Sequence, residues 1–179
     1  ALDSVIQGLN YSKAVGKVAV AGATAVSNLM IDIRQKLTEL ANSSISQAQR
    51  TIIRRDFTEL VSQAANFVSN ATYNGFELLT SGASTVNTLA NLAGGQLSLT
   101  AQGNVKLFIN SLAGATTTTA ANAQSVIVGQ FNDLETSVAQ ALGTLGAEVR
   151  ALDLQTGFLE ELRDTTSVGL GNIVDADLA

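Results

Sequence analysis

Residues 131–159 read FNDLETSVAQALGTLGAEVRALDLQTGFL, and the spacing of their apolar positions decides the fold. Phe131, Leu134, Val138, Ala141, Leu145, Val149, Leu152, Thr156 and Leu159 follow one another at steps of 3, 4, 3, 4, 4, 3, 4 and 3. Such a row lies along one side of an α-helix, and sustained over this length it is the seam of a rod that packs against other helices. The helical period begins near Ala121, so this rod runs for about 45 residues, or roughly 65 Å.

A second seam opens the chain. Leu2, Ile6, Leu9, Lys13, Gly16 and Val20 alternate steps of four and three. The pattern slips phase near Ala23 and Val26, then resumes through Met30, Ile33, Leu37 and Leu40. The Ala- and Gly-rich centre, VAVAGATAV, can be read as a strand or as a helix that admits close neighbours. The seam on either side favours a single helix of about 40 residues, near 60 Å long. ANSSIS interrupts the pattern. Ser46 followed by Gln49 is a capping box, and a second helix is expected with Ile53, Phe57, Leu60, Ala64, Phe67 and Ala71 on one face. The short link implies an antiparallel pair.

At YNGFELLT the period changes. Asn74-Gly75 is a turn pair, FELLT reads as a short strand, and TVNTLANLAGGQLSLTA as a hairpin turning at Gly94-Gly95. NVKLFIN reads as a further strand and GATTTT as a low-complexity linker. The expected fold class is mainly α with a small β appendage: an elongated, antiparallel, coiled-coil-like rod of three helices plus a short hairpin region. Residues 1–75 and 121–179 form the discontinuous rod, and 76–120 the β subdomain and linker. Thr165-Thr166-Ser167 and GLGN are expected to break the last helix before IVDADLA.

Composition narrows the chemistry. The chain of 179 residues has no Cys, His, Pro or Trp. Thiol and imidazole catalysis and Cys/His metal sites are therefore excluded, and no Pro interrupts a helix. Only 14% of residues are charged, against the usual quarter, and such a surface loses little when packed on other protein. The net charge of −5 argues against nucleic acid as a partner. No uninterrupted run of 18 apolar residues suggests membrane insertion, and these residues hold no secretory signal with a basic start and an apolar core. No cofactor is implied. For catalysis only carboxylates and hydroxyls remain, namely Asp175 with Asp177, Glu160 with Glu161, and the GATTTT hydroxyls. None has a base or phosphate loop beside it, so the expectation is no enzyme and no metal.

With that layout, three local stretches resemble bacterial flagellin. SNATYNGFELL is similar to the family's aromatic-Asn-Gly turn, carried here by Tyr73, Asn74 and Gly75 with Leu78 and Leu79. LGTLGAEVRAL is similar to its carboxy-terminal rod at Leu145, Gly146 and Ala147. IVDADLA, with Ile173, Asp175, Ala176, Asp177 and Ala179, resembles the segment leading to its terminal helix in the alphaproteobacterial branch.

The resemblance implies a structural subunit that self-assembles with other flagellin subunits into the filament for motility. It implies an extracellular, cell-surface location reached without a cleaved signal peptide. The chain resembles the rod core alone, lacking both tube-forming terminal helices, with outer domains missing or reduced to 103–120. Both ends then read as truncated. The family's receptor-binding face corresponds to IDIRQKLTEL. Arg34 is kept there, but Asp32 and Lys36 depart from the common pattern, so weak recognition by the innate Toll-like receptor is expected. An alternative function rests on Arg50, Arg54 and Arg55 in QRTIIRRDF: a cell-surface receptor or adhesin gripping an anionic polysaccharide, with Arg50 and Arg54 one helical turn apart. The simpler reading makes them surface or subunit-contact charges, with Arg55 paired to Glu59.

Overall fold

The computed structural model describes residues 1–178, with side chains described through residue 176. In chain order it contains α1 (Leu2–Leu40), α2 (Gln47–Asn70), β1 (Thr72–Tyr73), β2 (Phe76–Glu77), β3 (Val86–Leu89), β4 (Gln96–Leu99), α3 (Asn104–Ala113), α4 (Ala120–Val126), a π-helical turn (Ile127–Phe131) and α5 (Asn132–Leu178).

The seams become the core. On α1 the fully buried positions include Leu9, Ala23, Val26, Ile33, Leu37 and Leu40; on α5 they include Leu134, Ala141, Leu145 and Leu152. Three ion pairs fix the direction and register of the two rods. Asp3 meets Arg163, Lys13 meets Asp153, and Arg34 meets Glu135, at 3.1, 3.1 and 2.6 Å. Rising numbers on one helix match falling numbers on the other, so α1 and α5 are antiparallel. The VAVAGATAV stretch is helical, as its flanking seams require. Its small residues are where neighbours come closest: Gly22 abuts Ala71 at the end of α2, and Gly16 abuts Val149 of α5 and Leu99 of β4. By length and composition α1 could also cross a membrane. Here α2 and α5 pack on it and bury its seam, while Tyr11 and Ile31 stay exposed.

α2 starts at the expected capping box. Gln49 N–H donates to Ser46 Oγ (3.1 Å) and Ser46 N–H to Gln49 Oε1 (2.9 Å). Its buried face is Phe57, Val61, Ala64 and Val68, rotated slightly from the expected row, so that Ile53, Leu60 and Phe67 are only half-buried.

Three expectations need correction. NVKLFIN is not a strand but the core of α3. Val105, Ile109 and Leu112 recur at steps of four and three and are all buried, and α3 packs on both α2 and α5. A short apolar run carries too few turns for its period to be read, and the tertiary slot decided it. FELLT pairs only through Phe76 and Glu77. Leu78 and Leu79 leave the ladder to become fully buried, and their carbonyls accept from the amides of Gln102 and Lys106. Finally, no break interrupts α5 at TTS or GLGN. With no Pro present, each Gly there costs only about 1 kcal/mol of helix propensity, which leaves the helix uninterrupted.

The hairpin forms where expected. Val86 pairs with Leu99 and Leu89 with Gln96 in an antiparallel ladder. The connection is wider than a tight turn. Only Gly94 takes positive φ (95°), and the Asn91 side chain accepts from the amides of Ala93 and Gly95. The π-helical turn before α5 was not foreseen.

Candidate functional site

A helical rod meets its surroundings through its surfaces, and those surfaces are set by a few anchored elements. The first is the Tyr73-Asn74-Gly75 turn. Tyr73 pairs with Phe76 across it, and Asn74 and Gly75 both have positive φ, 53° and 81°. Two left-handed residues in succession make the two-residue turn that suits the twist of a hairpin, and the Asn-Gly pair is its usual sequence. The turn therefore projects Tyr73 and Phe76 into solvent, 39% and 52% exposed, while Leu78 and Leu79 root it in the core.

The β3–β4 hairpin is fastened across α1 and α5. β3 packs on α1, where the Ser12 and Thr88 hydroxyls are hydrogen-bonded and buried. β4 packs on α5, where the Glu148 carboxylate accepts from both Thr100 N–H (2.9 Å) and Thr100 Oγ1 (2.7 Å). At the hairpin tip Gln155 Nε2 donates to Ala90 O (2.6 Å). Between the hairpin side of α1 and the loop at 82–85 runs an open groove of about 810 Å³. Its lining includes the aromatic Tyr11, Tyr73 and Phe76 and the small Gly8, Ser12 and Gly82.

The second signature is divided by the seam. Leu145 is fully buried, Gly146 is half-buried with open space at its α-carbon, and Ala147 is exposed. Asp175 and Asp177 both lie on the helical backbone of α5, where positions two apart diverge; Asp175 is exposed, and the Asp177 side chain lies outside the described residues, as does Ala179.

The three arginines do not form one grip. Arg50 is 5% exposed, and its guanidinium donates to the carbonyls of Leu40 (2.5 Å) and Asn42 (3.0 Å), closing the end of α1. Arg54 Nε donates to Thr117 Oγ1 (3.3 Å), tying the GATTTT segment to α2. Arg55 is exposed, and the ion pairs among the described residues do not join it to Glu59; Lys36 instead bridges Glu39 and Asp56. The Arg50–Arg54 clamp for carboxylates is thus corrected, because Arg50 is spent on the α1–α2 corner. Arg34 is likewise engaged, its guanidinium 4.8 Å over the Phe131 ring and bonded to Glu135.

Near the chain ends, hydrogen bonds from Arg163 to Asp3 and then Asp164 hold its guanidinium above the ordinary arginine pKa. Among the described residues no three His, Cys, Asp or Glu side chains gather as a metal site would require. Sequence reading places Gly16 on the α1 seam but gives Glu148 no role. A carboxylate on the outer edge of a seam carries no local signal of a partner 48 residues away.

No family model matches the sequence. Among curated relatives, flagellin FljM of Caulobacter vibrioides is 28% identical over 178 residues, which is 99% of this chain and 65% of the relative. Flagellin FljJ of the same organism is 30% identical over 87% of this chain and 57% of its own length. A flagellin of Brucella melitensis is 27% identical over 91% of this chain and 62% of its own. The chain thus spans somewhat less than two thirds of the curated relatives it matches. Among solved structures, the crystal structure of Bacillus cereus flagellin superposes with a TM-score of 0.75, covering 85% of this chain and 88% of that one, at 15% identity. That likeness establishes the fold.

Proposed function

We propose, from the premise that this chain is a homologue of the alphaproteobacterial flagellins, that its full-length protein is a structural subunit of the bacterial flagellar filament. The observation that carries the reading is the antiparallel pairing of α1 and α5 along a dry seam. Together with the flagellin relatives, it supports a stiff stave rather than a binding cup. In this reading residues 1–75 and 121–179 are the stave, and 76–120 is an appendage filling one of its sides. The low charge of the surface favours packing of staves side by side, since few ions have to shed water. The subunit acts outside the cell, and its partners are further flagellin subunits. Its role is mechanical, without catalysis.

The test is complementation. The full-length protein is expressed in a flagellated alphaproteobacterium from which every flagellin gene has been removed. Filaments visible by electron microscopy are the expected result; cells that stay bald while exporting the protein overturn the proposal. The isolated 179-residue chain is expected to associate only weakly and to form no spontaneous filaments at micromolar concentration, as light scattering would record.

A further inference from the structure

α5 carries an apolar row that its own fold leaves open. Leu154, Phe158 and Leu162 are spaced by four, lie on one side of the helix, and are 69%, 57% and 44% exposed. The groove beside α1 is the matching concavity. We infer that this row on one copy seats in the groove of the next copy, a head-to-tail contact; the inference rests on the subunit reading and deepens it by naming the surfaces.

Four observations support that occupant. The lengths agree: the row spans about 12 Å of helix, and the α1 wall of the groove, from Gly8 to Val15, about 10 Å. Side-chain bulk does not block entry at Gly8 and Gly82, which have open space beside their α-carbons. Tyr11, Tyr73 and Phe76 in the lining offer the aromatic surface that apolar helix anchors favour. The charges are complementary too. Glu77 is the only charged side chain lining the groove, and Arg150, one turn before Leu154, is exposed. Neither has an ion-pair partner among the described residues. Glu161 borders the row on its outer side and stays in water.

The contact has to be between molecules. β3 rests on α1 and β4 on α5, so the hairpin stands between the groove and the row of one chain. Two different patches give a heterologous interface, which repeats in one direction instead of closing as a pair.

Sedimentation of the chain at millimolar concentration tests this with two variants, each confirmed as folded by circular dichroism. Phe158→Asp disables the row, and Gly8→Glu fills the groove. Oligomers that grow with concentration are expected for the unaltered chain, with association of either variant alone reduced about tenfold or more, as for loss of an interface anchor. A mixture of the two is expected to recover dimers and stop there, because only one intact row and one intact groove remain per pair. An unaltered chain that stays monomeric, variants that associate undiminished, or a mixture that recovers nothing would each overturn the contact. The same substitutions in the full-length protein separate this from the subunit reading. Normal filaments from Phe158→Asp reject the contact and leave the subunit standing, whereas bald cells with the unaltered protein reject the subunit.

Discussion

Gly22 of α1 lies so close to Ala71 that a Cβ at position 22 would stand 2.6 Å from the Ala71 Cβ. Neither atom can swing aside, so the helix backbones would have to part. Gly22→Ala is therefore expected to destabilise the chain by about 1–3 kcal/mol, even though alanine is the better helix former by about 1 kcal/mol. Gly157, exposed on α5 with open space around it, is the control. Gly157→Ala is expected to stabilise by about 0.5–1 kcal/mol. Urea denaturation of both variants checks the pair. Equal effects of one sign would mean that the α1–α2 approach is not as tight as described.

Arg50 gives a second test. Its buried guanidinium serves the last turn of α1 and the link to α2 together, and charge-assisted bonds of this kind are worth about 1.5–3 kcal/mol. Arg50→Ala is expected to cost about 2–3 kcal/mol, and Arg50→Lys to restore only part of it, because an ammonium cannot present two diverging donors. Arg55→Ala, on the exposed face, is expected to stay within about 0.5 kcal/mol of the parent. Melting temperatures that fall equally for Arg50 and Arg55 would contradict the assignment.

Glu148 should control the hairpin rather than the rod. In Glu148→Ala the Thr100 amide loses its acceptor, and hydrogen exchange at Thr100 and its β4 neighbours is expected to accelerate while the buried amides of α1 keep their protection. Uniform loss of protection would show that hairpin and rod open as one unit.

The response to pH follows from what the chain lacks and from one raised pKa. Arg163 binds its proton more tightly in the folded state than in the unfolded one. Its contribution is thus fully present below the ordinary arginine range and is lost only as pH climbs through its still higher folded value. With neither His nor Cys in the sequence, no side chain has its ordinary pKa between about pH 6 and about pH 8. Thermal stability is expected to be flat across that interval, and a transition midpoint that moves by several degrees within it would refute the expectation.

The parts of the fold that could be read from the sequence are those with many turns in which to repeat themselves. Nine positions from Phe131 to Leu159 mark the buried face of α5 and of the π-helical turn before it, and Val149 alone among them is less than buried. The Ser46–Gln49 box and the Asn74-Gly75 turn were legible for a different reason: each is a local motif whose hydrogen bonds or dihedral angles close within four residues. α3 was not legible because ten residues make fewer than three turns, and the choice between helix and strand came from the slot between α2 and α5. The arginine cluster misled for a related reason. Its spacing was read on an isolated helix, while the fate of Arg50 was set by carbonyls at the end of another helix.

The ion pair between Asp3 and Arg163 joins groups 160 positions apart, and every other bridge between α1 and α5 spans at least 101. α1 thus leaves the ribosome well ahead of α5, and its oily edge waits for that partner before it is sheltered. Until α5 has been made, that edge stands open to any holding factor able to grasp it, and such a factor would keep the chain threadlike simply by arriving before α5 does.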